Sequence, residues 1–134
     1  VERGHAMLSC STSPIIQVAA QIILTHHERW DGQGYPHGLA REEIPVHGRI
    51  VAVADVFDAL SSKRVYHQPW AWEDIFKYFL EQSDRHFDPC LVEILLQHKE
   101  EFMAISARYH DNTQEDVEKL EQPDHSQPGW EMRW

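Results

Sequence analysis

Two adjacent histidines near the start of the chain are suited to metal chemistry. His26 and His27 stand together, and Glu28 follows them. Histidine is the commonest metal ligand in proteins, but neighbouring helix residues point about 100° apart, so the pair does not normally chelate one ion alone. The two imidazoles could serve ions beside ligands from other helices. Alternatively, they form a polar helix end, where cationic histidines suit the helix dipole.

A carboxylate in an apolar segment is the second candidate for metal chemistry. Asp55 stands within the segment 51–57, whose other side chains form no hydrogen bonds. An ionised carboxylate buried there is costly unless a cation or several donors compensate it. The alternatives are that Asp55 pairs with Arg49 or Arg64, or that it caps a neighbouring helix. Asp58 lies three residues further on and is a candidate for proton transfer or for supporting a ligand.

Four further features could belong to a nucleotide site, although each has an ordinary structural explanation. His5 is a lone histidine, and it is a candidate metal ligand only because the other candidate ligands are present. In Gly34-Tyr35-Pro36 the tyrosine could stack on a nucleobase while glycine lets the backbone approach a phosphate, or the segment could be a tight turn. Arg64 could bind a phosphate bidentately or make a surface ion pair. Asp88 is more readily a helix cap than a ligand.

The helices that must position these residues are predicted from hydrophobic spacing. Helices are predicted over 13–28, 49–60, 72–82 and 88–107. The first begins with Ser13 as a hydroxyl N-cap and Pro14 at the first helical position. Its buried face is expected to continue through His26 and His27. The glycine- and proline-rich segment 31–38 predicts a loop, no strand is indicated, and the fold class is therefore all-α.

The composition indicates a globular protein with an acidic surface. The chain has 134 residues, enough for one domain of ordinary size, and a hydrophobic content of 42% fits a packed core. Its net charge of −10 repels the phosphate backbone, so polymeric nucleic acid is not expected as a partner. A small phosphorylated ligand is compatible with this charge, because a divalent metal ion can invert the local charge of an acidic pocket.

Three further features concern the surroundings of the chain. Cys10 and Cys90 form no CxxC pattern, which fits a reducing compartment. No apolar run reaches the roughly 18 residues that a membrane span needs. Because the sequence begins at Val1 without methionine, we interpret it as a piece of a longer cytoplasmic protein. Residues 114–134 are polar and aperiodic, and we expect an acidic tail or linker there.

Taken in order, these residues resemble the HD-GYP family of bacterial phosphodiesterases. The segment His26–Pro36 reads HHERWDGQGYP and is similar to the family signature HHExxDGxGYP. Three further blocks match the family's later motifs in order: Ile44-Pro45 with residues 49–60, Arg64-Val65-Tyr66, and His86-Phe87-Asp88-Pro89. The resemblance covers residues 5–103. It implies that residues 1–113 are the C-terminal portion of an HD-GYP domain.

The resemblance also implies an architecture and an activity. The family fold is a helical bundle around two or three divalent metal ions, commonly iron or manganese, and it hydrolyses cyclic di-GMP to pGpG or GMP in signal transduction. The family's His-Asp dyad and a nearby lysine would precede His5, so the bundle is expected to be partial. We therefore expect the full-length protein to be the enzyme and the 134 residues alone to hydrolyse little.

Residue roles follow from the resemblance by position. The implied metal ligands are His5, His26, His27 and Asp55. Asp58 would be catalytic, because it would pair with the lysine of the HD motif and assist proton transfer. Gly34, Tyr35 and Pro36 would border the nucleotide, and Arg64 would contact a phosphate. His67 stands where the family often has lysine, and it would hold a phosphate less reliably because imidazole is largely neutral at pH 7.

The expected partners include proteins as well as cyclic di-GMP. An upstream receiver or other sensory domain, as in a response regulator, is common in this family. The alternative to catalysis is a signalling module that docks partners such as diguanylate cyclase domains through the GYP loop. A second alternative is a phosphohydrolase acting on another nucleotide. The apolar faces of the helices over 15–24 and 49–60 would be bare without the missing helices, which favours a homodimer.

Overall fold

The computed structural model describes residues 2–63 and 68–109. Within these ranges the fold consists of α1 (Glu2–Leu8), α2 (Pro14–Thr25), a 3₁₀ helix (Arg41–Glu43), α3 (Val46–Ser61), α4 (Trp72–Glu81) and α5 (Pro89–Gln97). Residues 99–109 are also helical. No strand occurs in the described ranges, where an isolated bridge joins Ser83 to Phe87. The all-α prediction is therefore confirmed.

The first predicted helix begins where expected and ends early. Ser13 is the N-cap and Pro14 the first residue of α2, but the helix ends at Thr25 and not near residue 28. Thr25 Oγ1 donates to the Gln21 carbonyl at 2.7 Å, and the next residue, His26, caps the helix from a turn. The prediction that both histidines continue the helix was wrong. After this turn, the chain departs from the direction of α2 and forms the loop.

A glycine sets the distance between α2 and α3. Gly48 is buried in the first turns of α3, where a Cβ atom would lie 3.0 Å from Thr25 Cβ and closer still to Thr25 Oγ1. Only a residue without a side chain allows this approach. The contact brings the end of α2 against α3. The short helix α1, which hydrophobic spacing did not predict, also packs on α2, where Gly4 faces Ile23.

The core lies between the C-terminal half of α3, α4 and α5. Its buried members are Val53, Phe57, Ile75, Phe76, Phe79, Phe87, Val92 and Leu95. Ile75 and Phe79 are fully buried because they lie one turn apart on the apolar face of α4. Phe79 packs on Phe87 with ring centroids 4.8 Å apart, so the connection between α4 and α5 is fixed to the core at its C-terminal end.

Asp88 caps α5, as expected. Its Oδ1 accepts a hydrogen bond from the Cys90 backbone N–H at 2.9 Å. The predicted continuous helix from residue 88 to residue 107 was wrong, because it is interrupted at His98, whose backbone has φ −111° and ψ 30°. The His98 side chain bonds to Glu101 at 2.9 Å and starts the next helical stretch. Among the described helices, none is both long and apolar enough to cross a bilayer.

Candidate metal and nucleotide site

A cavity of about 400 Å³ lies between α3 and the loop that follows α2. This volume falls in the range of small-molecule sites in proteins. One side, which we call the loop wall, is formed by Arg29, Gln33, Gly34, Tyr35 and His86. The opposite set, which we call the helix wall, is formed by Ala52, Asp55 and Val56 of α3. His26 and His27 also line the cavity. The structure therefore brings together five predicted site residues: His26, His27, Gly34, Tyr35 and Asp55.

The first histidine of the pair is oriented by the backbone. His26 Nδ1 lies 2.8 Å from the Ile22 carbonyl oxygen, which can only accept a hydrogen bond. Nδ1 therefore carries the proton, and the lone pair on Nε2 is free to bind a cation. A metal-binding histidine commonly has its second nitrogen held in this way. The two imidazole rings of His26 and His27 lie 4.0 Å apart by their centroids.

The second histidine is covered by the tyrosine of the loop. The rings of Tyr35 and His27 stack at 4.9 Å with an interplanar angle of 20°, while 55% of Tyr35 remains exposed. Burial lowers the pKa of His27, His26 lowers it further, and Asp55 opposes both. The neutral imidazole is therefore favoured, and this is the form that binds metal ions. The effect of Asp55 on the pKa of His27 shows that its carboxylate lies within electrostatic range of that ring.

Asp55 lies on the cavity side of α3 but is exposed to solvent. The expectation that it is buried was wrong, because the buried stripe of α3 runs through Ala52, Val53 and Phe57 and leaves residue 55 outside it. Arg49 is not its partner, since Arg49 pairs with Asp88. Asp58 is also exposed and accepts a hydrogen bond from Ser62 Oγ at 2.9 Å. It does not line the cavity, and its catalytic role stays a prediction.

The donor types fit a metal ion, but the described residues do not complete a site. Within residues 2–63 and 68–109, no three His, Cys, Asp or Glu side chains are placed to hold one ion. His5 lies half-buried in α1 and does not line the cavity. Its ligation, like that of the other proposed ligands, stays a prediction. Arg64 and His67 lie outside the described residues.

A buried glutamate organises the loop, a role that the sequence reasoning missed. Glu28 is 2% exposed, and its two carboxylate oxygens accept the backbone N–H groups of His37 at 2.7 Å and Leu39 at 3.1 Å. Gly34 passes so close that a Cβ atom there would lie 2.5 Å from Glu28 Cα. Gly34 therefore serves a close approach of two backbone segments. Pro36 follows Tyr35 but does not line the cavity.

Trp30 anchors the loop to the connection between α4 and α5. Its indole Nε1 donates to Asp84 Oδ1 at 3.0 Å, and its backbone N–H donates to the His86 carbonyl at 3.1 Å. The guanidinium groups of Arg41 and Arg49 lie 5.9 and 5.7 Å from the centre of the buried indole ring, within the range of cation–π attraction. The spacing of residues within the signature gave no indication of these long-range contacts.

An ion pair on the loop wall completes this network. Arg29 donates to Asp31 through Nε at 3.1 Å and through Nη2 at 2.8 Å. Asp31 Oδ1 also accepts the backbone N–H of Gln33 at 3.0 Å. The hydrogen bonds from Arg29 lower the pKa of Asp31, against the effect of burial, and the same contact raises the pKa of Arg29. Both groups are therefore charged at neutral pH.

Comparison with known proteins identifies the class of this fold and site. A family model described as "HD domain" matches residues 1–91. The chain is 51% identical to 3'3'-cGAMP-specific phosphodiesterase 2 of Vibrio cholerae over 111 residues, which cover 83% of this chain and 21% of the relative. It is 47% identical to a cyclic di-GMP phosphodiesterase of Thermotoga maritima over 81% of this chain and 29% of that protein.

A solved structure gives the same result. The fold matches a crystal structure of a cyclic GMP-AMP specific phosphodiesterase from V. cholerae with a TM-score of 0.57 and 29% identity. The match covers 78% of this chain and 25% of that one. The chain belongs to the HD-domain family, in its HD-GYP branch. It spans only 21% of the length of the V. cholerae relative and 29% of the length of the T. maritima relative.

Proposed function

We propose that the protein carrying this chain is a metal-dependent phosphodiesterase that hydrolyses cyclic di-GMP to pGpG or GMP in bacterial signalling. The observation that supports this most directly is the shared cavity, in which His26, His27 and Asp55 face the Gly34-Tyr35 loop. Side chains of the types that bind metal ions thus lie beside an exposed aromatic ring that can stack on a base. A cyclic dinucleotide carries both a phosphodiester and a base, so it could use both features at once.

The donor set supports a divalent metal in general, and iron or manganese in particular is our proposal. Imidazole nitrogens and a carboxylate suit such first-row ions. A bound divalent ion would supply Lewis acidity, which lowers the pKa of water and offsets the negative charge of the phosphate. His26 would bind through Nε2, His27 as the neutral imidazole, and Asp55 through an exposed oxygen. His5 and ligands contributed by residues outside this chain would complete the set.

A second substrate is favoured by a specific similarity. The relative that is 51% identical to this chain is named for 3'3'-cGAMP, whereas those named for cyclic di-GMP are 47% identical or less. Both substrates carry 3'–5' phosphodiester bonds and at least one guanine, so the same cavity can serve either. The docking module without catalysis is not favoured, because the named relatives are phosphodiesterases. Diguanylate cyclase domains and an upstream sensory domain stay predictions.

The experiment is a hydrolysis assay on the longest native polypeptide that contains these residues. Cyclic di-GMP and 3'3'-cGAMP are each supplied to protein stripped of metal and to protein reloaded with Mn²⁺ or Fe²⁺. We expect hydrolysis only after reloading, and a loss of more than about 100-fold in the Asp55→Asn variant because a ligand is removed. Asp74→Asn, an exposed carboxylate on α4, is the matched control and should retain full activity.

Two results would contradict the proposal. Undiminished hydrolysis by the stripped protein would show that the cavity works without metal. Full activity of Asp55→Asn, with metal content equal to that of the Asp74→Asn control, would remove Asp55 from the site. The ratio of kcat/KM for the two cyclic dinucleotides decides between the two substrates.

A further inference from the structure

His86 has a place in the cavity that its position in the chain does not suggest. It lies in the connection between α4 and α5, more than fifty residues after the histidine pair, yet it lines the same cavity as His27 and Asp55. Its ring stacks on Phe87 with centroids 4.2 Å apart and an interplanar angle of 11°. Because Phe87 is 1% exposed, this stacking fixes the plane of the imidazole.

The backbone of His86 fixes the position of the ring relative to the loop wall. Its carbonyl accepts the Trp30 N–H at 3.1 Å, and the neighbouring Arg85 carbonyl accepts the Asp31 N–H at 2.8 Å. These are two successive hydrogen bonds between the two segments. These bonds hold His86 beside the loop that carries Arg29 and Tyr35, so a ligand in the cavity would meet all three residues.

The ring nitrogens of His86 differ from those of His26. His26 Nδ1 is bonded to the Ile22 carbonyl, whereas the imidazole nitrogens of His86 form no hydrogen bond with any residue of the described chain. His86 is only half-buried, and none of the described residues has a buried side-chain nitrogen without a partner, so the ring nitrogens of this cavity-lining residue keep access to solvent. Arg29, on the same wall, has its Nε and Nη2 atoms engaged by Asp31, which leaves little excess charge there.

We propose that His86 is a substrate-contacting residue that donates a hydrogen bond from its imidazole to an acceptor on the cyclic dinucleotide. This inference rests on the proposed function. The acceptor is either an oxygen of the phosphate that is not being hydrolysed or O6 of a guanine base. In either case His86 would contact a part of the ligand other than the phosphate that is hydrolysed, and so it would act on affinity for dinucleotides.

The test compares His86 variants in the longest native polypeptide loaded with Mn²⁺. His86→Phe keeps a ring to stack on Phe87 and removes the donor, whereas His86→Asn keeps a donor on a small side chain. The substrates are cyclic di-GMP and bis(p-nitrophenyl) phosphate, which has one phosphate and no base. We expect the Phe variant to raise KM for cyclic di-GMP roughly 3- to 30-fold, the loss of one hydrogen bond. Its kcat/KM for the small diester should fall by a smaller factor than that for cyclic di-GMP, and Asn should give an intermediate KM.

The phosphate and the base can be told apart with cyclic di-AMP as an inhibitor of small-diester hydrolysis. If His86 contacts a phosphate, the Phe variant weakens inhibition by cyclic di-AMP as much as it weakens binding of cyclic di-GMP. If it contacts guanine O6, where adenine carries an amino group that cannot accept, inhibition by cyclic di-AMP is unaffected. Both results support the proposal, and they identify the acceptor.

Two results overturn the proposal. One is a KM for cyclic di-GMP within about twofold of the wild type in the folded Phe variant, or in His86→Ala, which also lacks a donor, where Phe does not fold. The other is an equal loss of activity on both substrates with less bound metal, which would make His86 part of the metal site. A wild type that hydrolyses neither cyclic dinucleotide refutes the proposed function instead. The Kd of cyclic di-GMP then replaces KM in the same comparison.

Discussion

The loop that forms one wall of the cavity and the helix that forms the other differ in the burial and hydrogen bonding of their carboxylates. On the loop side, Glu28 is 2% exposed and both of its oxygens accept backbone N–H groups. On the helix wall, Asp55 is exposed and accepts no hydrogen bond from the described residues. The difference indicates that burial marks a structural carboxylate here, whereas the exposed carboxylate keeps acceptor positions that a cation can use.

This contrast has a physical basis. A buried carboxylate must have its acceptors satisfied by the protein, because leaving them unpaired is costly. Glu28 therefore has no free acceptor direction to offer a ligand. Asp55 keeps its hydration until a ligand replaces it. The loop wall should consequently determine stability and shape, and the helix wall should determine chemistry with little effect on stability.

The largest expected effect follows from breaking the ion pair that supports the loop wall. Arg49 bonds to Asp88 at 2.7 Å and to the Ile44 carbonyl at 2.8 Å, and it packs over Trp30. Arg49→Met should lower the free energy of unfolding by about 3 kcal/mol, because the buried Asp88 loses its partner. Urea denaturation followed by circular dichroism measures this.

Arg41→Met is the matched control. Arg41 also packs over Trp30, but its ion pair with Asp84 is exposed and 3.8 Å long. Its loss should cost less than about 1 kcal/mol. Equal effects of the two substitutions would show that stacking on the indole, and not the buried pair, holds the loop.

Glu28→Gln should have the next largest effect. The substituted amide keeps one acceptor but turns a donor toward a backbone N–H, so one of the two hydrogen bonds is lost within a buried site. We expect a loss of about 2 kcal/mol in the free energy of unfolding. Glu43→Gln is the control, since its exposed carboxylate accepts a single N–H from Ala40 at 3.0 Å. A loss below about 0.5 kcal/mol for Glu28→Gln would mean that the loop does not depend on this carboxylate.

Hydrophobic spacing predicted α3 and α4 within a few residues because those helices bury a continuous apolar stripe. It did not predict α1, a helix of seven residues, because so short an element offers little periodicity. It also predicted that α2 ends at residue 28, three residues too late, because His26 and His27 continue the helical spacing of Ile22 and Ile23. Helical periodicity does not register the turn that follows Thr25.

The site shows the same division. The signature residues pointed to the cavity, and His26, His27, Tyr35 and Asp55 do line it. The support for that cavity comes from residues 50 or more positions away in the chain, such as the Trp30–Asp84 hydrogen bond. Such pairs form only in the tertiary fold, so the spacing of residues along the sequence cannot predict them. His86 belongs to the His86-Phe87-Asp88-Pro89 motif, but its position at the cavity is evident only from the structure.

The Arg29–Asp31 pair predicts a pH dependence of stability that belongs to the loop wall. Its hydrogen bonds lower the pKa of Asp31 in the folded state. The stabilisation is therefore fully present above the pKa of the unfolded chain, about 4, and is lost as the pH falls through the lower folded value. As the pH falls from 5 toward acid denaturation, the free energy of unfolding should decrease less for Asp31→Asn than for the wild type, by up to about 1 kcal/mol. Parallel curves for the two proteins would contradict this.

The smallest expected effect on stability belongs to Asp55. Its exposed carboxylate contributes no hydrogen bond to the described fold, and neutralising it removes the charge that opposes the lowered pKa of His27. Asp55→Asn should change the free energy of unfolding of the metal-free protein by less than about 0.5 kcal/mol. The same substitution should abolish the thermal stabilisation that Mn²⁺ gives to the wild type, because binding to the folded state alone produces that shift. A carboxylate whose loss destabilised the metal-free protein as much as Glu28→Gln would instead be structural, and the distinction between the two walls would no longer hold.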